Sequence, residues 1–215
     1  MTVRILIADD HALVRDGLRL HLETRGDLLV VGEAVNGRDA VAKAEALRPE
    51  LVIMDVAMPE LNGIEATRLI CERLPQVKVL MLSMHNSSEH CFRALRSGAR
   101  GYILKESAGE EVVLAVRTIL RGRFFLGAGL SYPDKRLAGV LLDRGQSPIE
   151  SLSRREREIF QLVVEGKSSA EIAVILSLSA KSVDTYRSRL MKKLGVESIP
   201  SLVKFALLHS ITPAG

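Results

Sequence analysis

The sequence predicts a doubly wound, parallel α/β sheet followed by a smaller domain built only of helices. Three observations lead to this fold class. Up to about residue 122, five short apolar runs alternate with stretches that have the periodicity of amphipathic helices. The apolar runs are rich in Val, Ile and Leu on both faces, as is typical of strands that helices cover on both sides. From Ser151 onward the chain shows helical periodicity and no strand pattern.

The five strand–helix repeats follow one another directly along the chain. The predicted strands are Val3–Asp9, Leu28–Ala34, Leu51–Asp55, Val77–Ser83 and Gly101–Lys105. The predicted helices lie near residues 11–24, 37–47, 63–73, 87–97 and 107–121. Their number and length suit a flavodoxin-like, five-stranded sheet with the strand order 2-1-3-4-5. In that order strands 1 and 3 are neighbours, so the residues that end them come close together.

The repeating pattern stops after Gly122, and this divides the chain. We predict a first domain over residues 1–124, a linker over 125–149 and a helical domain over 150–215. The linker is punctuated by Gly, Ser and Pro around one short helical patch, Asp134 to Asp143.

Capping residues mark the helices of the C-terminal domain. Two helix starts have capping-box spacing and a third begins with a serine; the residues are Ser153 with Glu156, Ser168 with Glu171, and Ser179. Gly195 ends the third helix, and a last helix is predicted from Ile199 to about Ser210.

Composition narrows the class of protein. The longest apolar runs are far shorter than the roughly 20 residues that a membrane span needs. The N-terminus enters the first strand at once, so we expect no signal peptide and a cytoplasmic location. Two cysteines, Cys71 and Cys91, predict free thiols in a reducing compartment. Trp is absent, which argues against stacking platforms for single-stranded nucleic acid.

Acidic residues end two neighbouring strands of the predicted sheet. Asp9 and Asp10 end strand 1, and Asp55 ends strand 3. Since ligands of open parallel sheets bind at the carboxyl ends of the strands, the three carboxylates are expected to converge on one crevice. Their mutual repulsion would be relieved by a hard divalent cation, and Mg²⁺ suits a few carboxylates plus waters.

Complementary groups end the other two strands at the same edge. Ser83 brings a hydroxyl and Lys105 brings a cation. A metal-bound carboxylate flanked by a hydroxyl and a lysine is suited to hold a phosphoryl group. Each residue alone has an ordinary explanation, since a lone Asp after a strand is usually a cap or turn residue and a lone Lys is usually solvated. The combination of four strand ends favours the site.

Residues 1 to 122 resemble the receiver domain of a two-component response regulator. The motifs that carry the resemblance are "ADD" (8–10), "MDVAMPELNG" (54–63), "MLSMH" (81–85) and "GYILK" (101–105), in that family's order and spacing. The resemblance implies that Asp55 accepts a phosphoryl group from a histidine kinase. It also implies that Asp9, Asp10, Asp55 and the backbone carbonyl of Ala57 hold Mg²⁺, while Lys105 and Ser83 contact the phosphoryl oxygens.

Two further positions bear on the resemblance. Tyr102 matches the aromatic residue whose ring turns inward in the family's switch; the alternative is a half-buried tyrosine of a strand. Glu106 follows Lys105 where many members have proline, often in a cis bond, so the cis peptide is not expected here.

The C-terminal domain contains two helices joined by a short turn, over residues 168–194. The inner faces carry apolar residues at helical spacing, namely Ile172, Ala173 and Leu176, then Val183, Tyr186, Leu190 and Leu194. The outer face of the second helix carries Lys181, Thr185, Ser188, Arg189 and Lys192. This face fits a recognition helix in a DNA major groove, although many basic faces are merely solvated. Residues 150–215 carry ten basic and seven acidic side chains, which agrees with a polyanionic partner.

Residues 152–196 resemble the LuxR-type helix-turn-helix of the NarL/FixJ subfamily. Ser169 stands where Asn is common and Tyr186 where His is common. Asp184 lies on the outward side, where some relatives have Lys. Because its carboxylate would repel DNA phosphates, it is expected to face a base or a neighbouring basic residue. The resemblance implies that the last helix forms a homodimer surface with Leu202, Val203 and Ala206, and Leu207 is a further candidate. The alternative is that this stripe closes the domain's own core. Both can hold, with part of the stripe packed inward and part facing a partner.

The leading interpretation is a non-enzymatic transcription regulator switched by phosphorylation. An aspartyl phosphatase would need a second acid two residues after its nucleophile, where this chain has Ala57. A receiver that has lost its chemistry would not be expected to keep the acids, Ser83 and Lys105. A flavin-binding protein is disfavoured because the carboxylates would repel the cofactor's phosphate.

Overall fold

The computed structural model describes residues 2–84, 86, 88–130, 149 and 151–208. The chain divides into two compact units, Met1–Arg136 and Leu137–Gly215, and each is described by itself. The predicted domain boundaries remain a prediction, and the helical patch predicted at Asp134 to Asp143 lies outside the described residues.

The first unit is a parallel sheet with helices on both faces. Its strands are β1 (Val3–Ala8), β2 (Leu28–Ala34), β3 (Leu51–Asp55), β4 (Lys78–Ser83), β5 (Gly101–Leu104) and β6 (Phe125–Leu126). Its helices are α1 (Ala12–Glu23), α2 (Gly37–Leu47), α3 (Gly63–Arg73), α4 (Ser88–Arg96) and α5 (Ala108–Leu120). The strand order is β2-β1-β3-β4-β5-β6 and every pair is parallel.

The flavodoxin-like sheet is confirmed, but the prediction of five strands is wrong by one. Phe125 and Leu126 pair with Gly101 and Tyr102 and form a sixth strand inside the segment predicted as linker. Two residues are too few to show a periodicity of two, so no pattern in the sequence predicts β6.

Helices bury both faces of the sheet. One apolar layer lies under α2, α3 and α4 and includes Leu6, Val52 and Met54; the other lies under α1 and α5 and includes Ile5 and Ile53. Successive residues of β1 and β3 therefore enter opposite cores. This accounts for the unbroken apolar runs in the sequence.

The second unit consists of helices around a separate core. They are α6 (Arg154–Val164), α7 (Ser169–Leu176), α8 (Ala180–Leu194) and α9 (Ile199–Leu208). Both predicted capping boxes are present, since Ser153 and Ser168 each accept the amide of the third residue on and donate to its carboxylate. Gly195 ends α8 in the left-handed region, with φ of 67°. The last two residues of the predicted final helix, His209 and Ser210, lie outside the described residues.

Within the described ranges, no helix combines the length and apolar character that crossing a membrane would require.

Candidate functional site

The first site lies at the carboxyl edge of the sheet, where β1 and β3 end side by side. Ala8 pairs with Met54, so the residues that follow them, Asp9 and Asp55, emerge next to each other. Both are buried, with 0 % and 2 % of their surface exposed. Asp9 lies one residue beyond the end of β1. Its amide still donates to the carbonyl oxygen of Ala34 at the edge of the sheet, so the strand-like pairing continues as far as this residue.

Lys105 joins the two acids. Its Nζ lies 2.7 Å from Asp55 Oδ2 and 2.8 Å from Asp9 Oδ2, and only 8 % of its side chain is exposed. Burial lowers the pKa of this ammonium group, but the charge and hydrogen bond of Asp55, with those of Asp9, raise it by more, so the net pKa is raised. Lys105 therefore stays charged at neutral pH.

Asp55 carries the strongly perturbed carboxyl group of this site. Burial raises its pKa, and the nearby charge of Asp9 raises it further, while Lys105 lowers it; the result is a pKa of about 6 against an ordinary 3.8. One lysine cannot compensate the crowded carboxylates, so the site has an excess of negative charge.

The donor set fits a divalent cation. Ligand atoms of Asp9, Asp10, His11 and Asp55 all lie within 4.8 Å of one another. Asp10 Oδ1 is buried and forms no hydrogen bond. Buried carboxylate oxygens without hydrogen-bond donors are costly unless a cation approaches them. Such an acidic cluster is typical of Mg²⁺ binding.

The backbone around Asp55 is closely packed. The amide of Ala57 lies 3.4 Å from Asp55 Oδ1, a long hydrogen bond to the carboxylate. At Gly63, the first residue of α3, an added Cβ would lie 1.8 Å from the Asp55 carbonyl oxygen. A side chain cannot be accommodated there without moving the backbone of Asp55. Gly63 therefore lets α3 begin directly against the strand end.

Ser83 and Tyr102 lie together on the adjoining strands. Leu82 pairs with Asp55, so Ser83 is one residue further along the neighbouring strand, and it is 1 % exposed. The Tyr102 phenol is fully buried and shares a hydrogen bond with the Ser83 hydroxyl. Burial, partly offset by that bond, raises the pKa of Tyr102 to about 12. The ring is thus inside the fold rather than half-buried. Glu106 follows Lys105 without a cis peptide, and none occurs in the described part of the chain.

Sequence reasoning missed two residues beside the acids. Arg15 Nη1 donates to the Asp9 carbonyl at 2.9 Å, and its Nε donates to Glu33 at 2.9 Å, which ties the end of β1 to β2. His11 Nδ1 lies against both Asp9 and Asp10. The partners of Arg15 come from two different segments of the chain, so no local sequence motif predicts these contacts. His11 was visible in the sequence as the residue directly after the two acids.

A second candidate site is the outer face of α8. As predicted, Val183 and Leu190 are fully buried and Leu194 is 9 % exposed. Tyr186 is half-buried. The five predicted DNA-contacting side chains are all exposed: Lys181, Thr185, Ser188, Arg189 and Lys192. Their role in DNA contact stays a prediction.

Asp184 faces a basic neighbour, one of the two outcomes expected for it. Its Oδ1 accepts a hydrogen bond from Ser169 Oγ at 2.7 Å and lies 3.3 Å from Arg187 Nη2. Arg187 Nη1 also donates to Ser169 Oγ at 3.3 Å. The three side chains link the start of α7 to α8.

The predicted dimer stripe on α9 is divided between core and surface, and its role in a dimer stays a prediction. Leu202 and Ala206 are fully buried in the core of the second unit, so they close that core and cannot contact another chain without moving. Val203 is half-buried, and it is the predicted dimer residue whose side chain retains solvent exposure. The side chain of Leu207 lies outside the described residues.

Comparisons with known proteins match both units of the chain. A model of the response regulator receiver domain matches residues 5–117, and a model of the luxR family of bacterial regulatory proteins matches residues 150–206. The chain is 38 % identical over 209 residues to the transcriptional regulatory protein MctR of Rhizobium johnstonii, covering 97 % of this chain and 95 % of that one. It is 37 % identical over 217 residues to the oxygen regulatory protein NreC of Staphylococcus aureus, covering 95 % and 97 %.

The chain belongs to the NarL/FixJ family of response regulators. This response regulator is also similar to a solved structure of RcsB from Salmonella enterica serovar Typhimurium, bound to promoter rprA in the presence of phosphomimetic BeF3⁻. The TM-score is 0.62 and the identity 26 %, covering 95 % of this chain and 98 % of that one. The regulator is a phosphorylation-switched, DNA-binding transcription regulator, and its family is one of transcription regulators.

Proposed function

We propose that Asp55 accepts a phosphoryl group from a sensor histidine kinase. The observation that carries this proposal is the Lys105 ammonium group, which lies within 2.8 Å of oxygens of both Asp9 and Asp55. Asp9, Asp10, Asp55 and the backbone carbonyl of Ala57 are the ligands we assign to Mg²⁺. When bound, the ion offsets the negative charge of the carboxylates and of the phosphoryl oxygens.

The transfer asks the chain for a nucleophile and for charge balance. An oxygen of the Asp55 carboxylate forms a bond to phosphorus while the bond from phosphorus to the kinase's histidine nitrogen breaks. The electron pair of the broken bond remains on the imidazole. Asp55 must be ionised to attack, so the Lys105 charge serves twice: it lowers the pKa of Asp55 and then pairs with a phosphoryl oxygen.

Ser83 and Tyr102 report the modification to the surface. In the proposed switch, the Ser83 hydroxyl donates to a phosphoryl oxygen, and the hydrogen bond that it shares with Tyr102 couples the two residues. The phosphorylated state gains contacts that the free state lacks, and this difference shifts the population of conformers. The shift favours a homodimer that binds promoter DNA.

The C-terminal unit contacts double-stranded DNA through α8 in this proposal. Lys181, Arg189 and Lys192 bring positive charge to the phosphates. The hydroxyls of Thr185 and Ser188 donate to carbonyls one turn back, which leaves their oxygens as acceptors toward a groove. A homodimer in which Val203 contributes contact area would read two half-sites. Both partners, the kinase's phosphorylated domain and the promoter, place this work in the cytoplasm.

Phosphorylation with radiolabelled acetyl phosphate tests the site. With Mg²⁺, we expect the wild type and the exposed control Asp16→Asn to take up label and Asp55→Asn to take up none. EDTA should abolish labelling. Label that persists on Asp55→Asn would refute the assignment of the acceptor, and label that survives EDTA would remove the metal from the proposal.

A further inference from the structure

His11 extends the donor set at the end of β1. The residue follows Asp10 directly and precedes α1, and its backbone amide donates to Asp9 Oδ1 at 2.9 Å. Its Nδ1 lies 2.9 Å from Asp10 Oδ1 and 3.2 Å from Asp9 Oδ1. The imidazole is therefore aimed at the same carboxylate oxygens that we assign to the metal, while 65 % of its side chain is open to solvent.

The spacing of these atoms matches one coordination sphere. Metal–nitrogen and metal–oxygen bonds of about 2.1 Å place adjacent ligands of an octahedron roughly 3.0 Å apart. The two separations at His11 Nδ1, 2.9 and 3.2 Å, bracket that value. The buried Asp10 Oδ1, which has no hydrogen bond, is the nearer of the two oxygens. A cation bound by Asp9 and Asp10 would thus find the imidazole nitrogen at a neighbouring vertex.

Imidazole changes which cations the site prefers. Mg²⁺ is a hard ion that favours oxygen ligands, whereas divalent first-row transition cations such as Co²⁺, Ni²⁺ and Zn²⁺ bind imidazole well. We propose that His11 Nδ1 is a further metal ligand of this site and gives it a preference for divalent transition cations over Mg²⁺. This inference rests on the proposed metal site of Asp9, Asp10 and Asp55, and it deepens that proposal by naming the class of cation.

Metal titration of the full chain tests the inference. Calorimetric titrations with Ni²⁺ and with Mg²⁺, at pH 8 after removal of metal and of any histidine tag, give both dissociation constants for wild type, His11→Asn and the exposed control His21→Asn. We expect His11→Asn to weaken Ni²⁺ binding by roughly tenfold or more while changing Mg²⁺ binding little. We expect His21→Asn to change neither. Equal changes for both cations, or no change, would overturn the role of His11 and leave the imidazole as a charge partner of the two acids.

A second measurement needs no variant at the histidine. Ni²⁺ is paramagnetic, so small additions to the wild type should broaden the ring resonances of His11 before those of the chain's other four histidines. Broadening that begins at another histidine would count against ligation.

The Asp55→Asn variant separates the two proposals: if it binds Mg²⁺ as tightly as the wild type, the metal site itself is misplaced. If Mg²⁺ binding depends on Asp55 while the Ni²⁺ preference is independent of His11, only the present inference fails.

Discussion

Replacing Asp55 with asparagine should stabilise the metal-free protein. The pKa of Asp55 is about 6 in the fold against an ordinary 3.8, so the charged form is disfavoured by about two pKa units. At roughly 1.4 kcal/mol per unit, the penalty is at most about 3 kcal/mol. That figure already includes the attraction of Lys105. Asparagine keeps the shape without the charge, and we expect Asp55→Asn to gain up to about this amount at pH 8.

The sign and pH window follow from the direction of the shift. A raised carboxyl pKa means that the folded state holds the proton more tightly, so wild-type stability falls as pH rises from 3.8 to about 6 and is level above. The advantage of Asp55→Asn should therefore shrink to roughly half at pH 5. Mg²⁺ should also reduce it, because the ion compensates the charge in the wild type alone.

Chemical unfolding followed by circular dichroism measures this difference. The chain has two units, so the transition to analyse is the one that Mg²⁺ shifts in the wild type. EDTA is present in the metal-free arm, and Asp16→Asn controls for the loss of an exposed carboxylate. The electrostatic account of the site would be refuted if Asp55→Asn were no more stable than the wild type at pH 8 in EDTA. It would also be refuted if the difference in free energy of unfolding between the two did not change with pH.

Three other substitutions test separate parts of the structure. Lys192→Ala should weaken binding to all DNA sequences and reduce the slope of log affinity against log salt concentration by about one, whereas Lys204→Ala on α9 should change neither. Fluorescence anisotropy at several salt concentrations measures both quantities. An unchanged slope would mean that α8 docks by another face. Gly63→Ala should lower both the melting temperature and acetyl phosphate labelling because its Cβ meets the Asp55 carbonyl, while Gly17→Ala, with open space around it, should lower neither. Leu202→Ala should cost the second unit about 2–5 kcal/mol in urea unfolding, since the side chain is fully buried, and a cost below 1 kcal/mol would contradict its place in the core.

The sequence was most informative where one local rule decides the structure. Asp9 and Asp55 were predicted to meet because residues that end neighbouring parallel strands share an edge, and their register requires it. The capping boxes of α6 and α7 were predicted from a spacing of three residues, which suffices for a local hydrogen-bonded motif.

The sequence was least informative where partners come from distant segments. Arg15 contacts Asp9 and Glu33, and neither contact has a local signature. The depth of Tyr102 depends on α4 covering the sheet, which an apolar run alone does not specify. On α9, a stripe that packs inward and one that packs against a second chain have the same periodicity. Leu202 is buried and Val203 is only half-buried because α9 packs against α6, a contact that the sequence of α9 alone does not specify.

Asp184 and Arg187 have opposite charges that cancel on the helix proposed to face DNA. A duplex that offers only phosphates gains nothing from this pair: it must draw the arginine away from its carboxylate and then tolerate the exposed acid. A site that presents a hydrogen-bond donor, such as a cytosine amino group, can satisfy the acid instead. The pair would thus lower the affinity for non-specific DNA. A regulator that must find its site among many competing sequences benefits from a low affinity for the wrong ones.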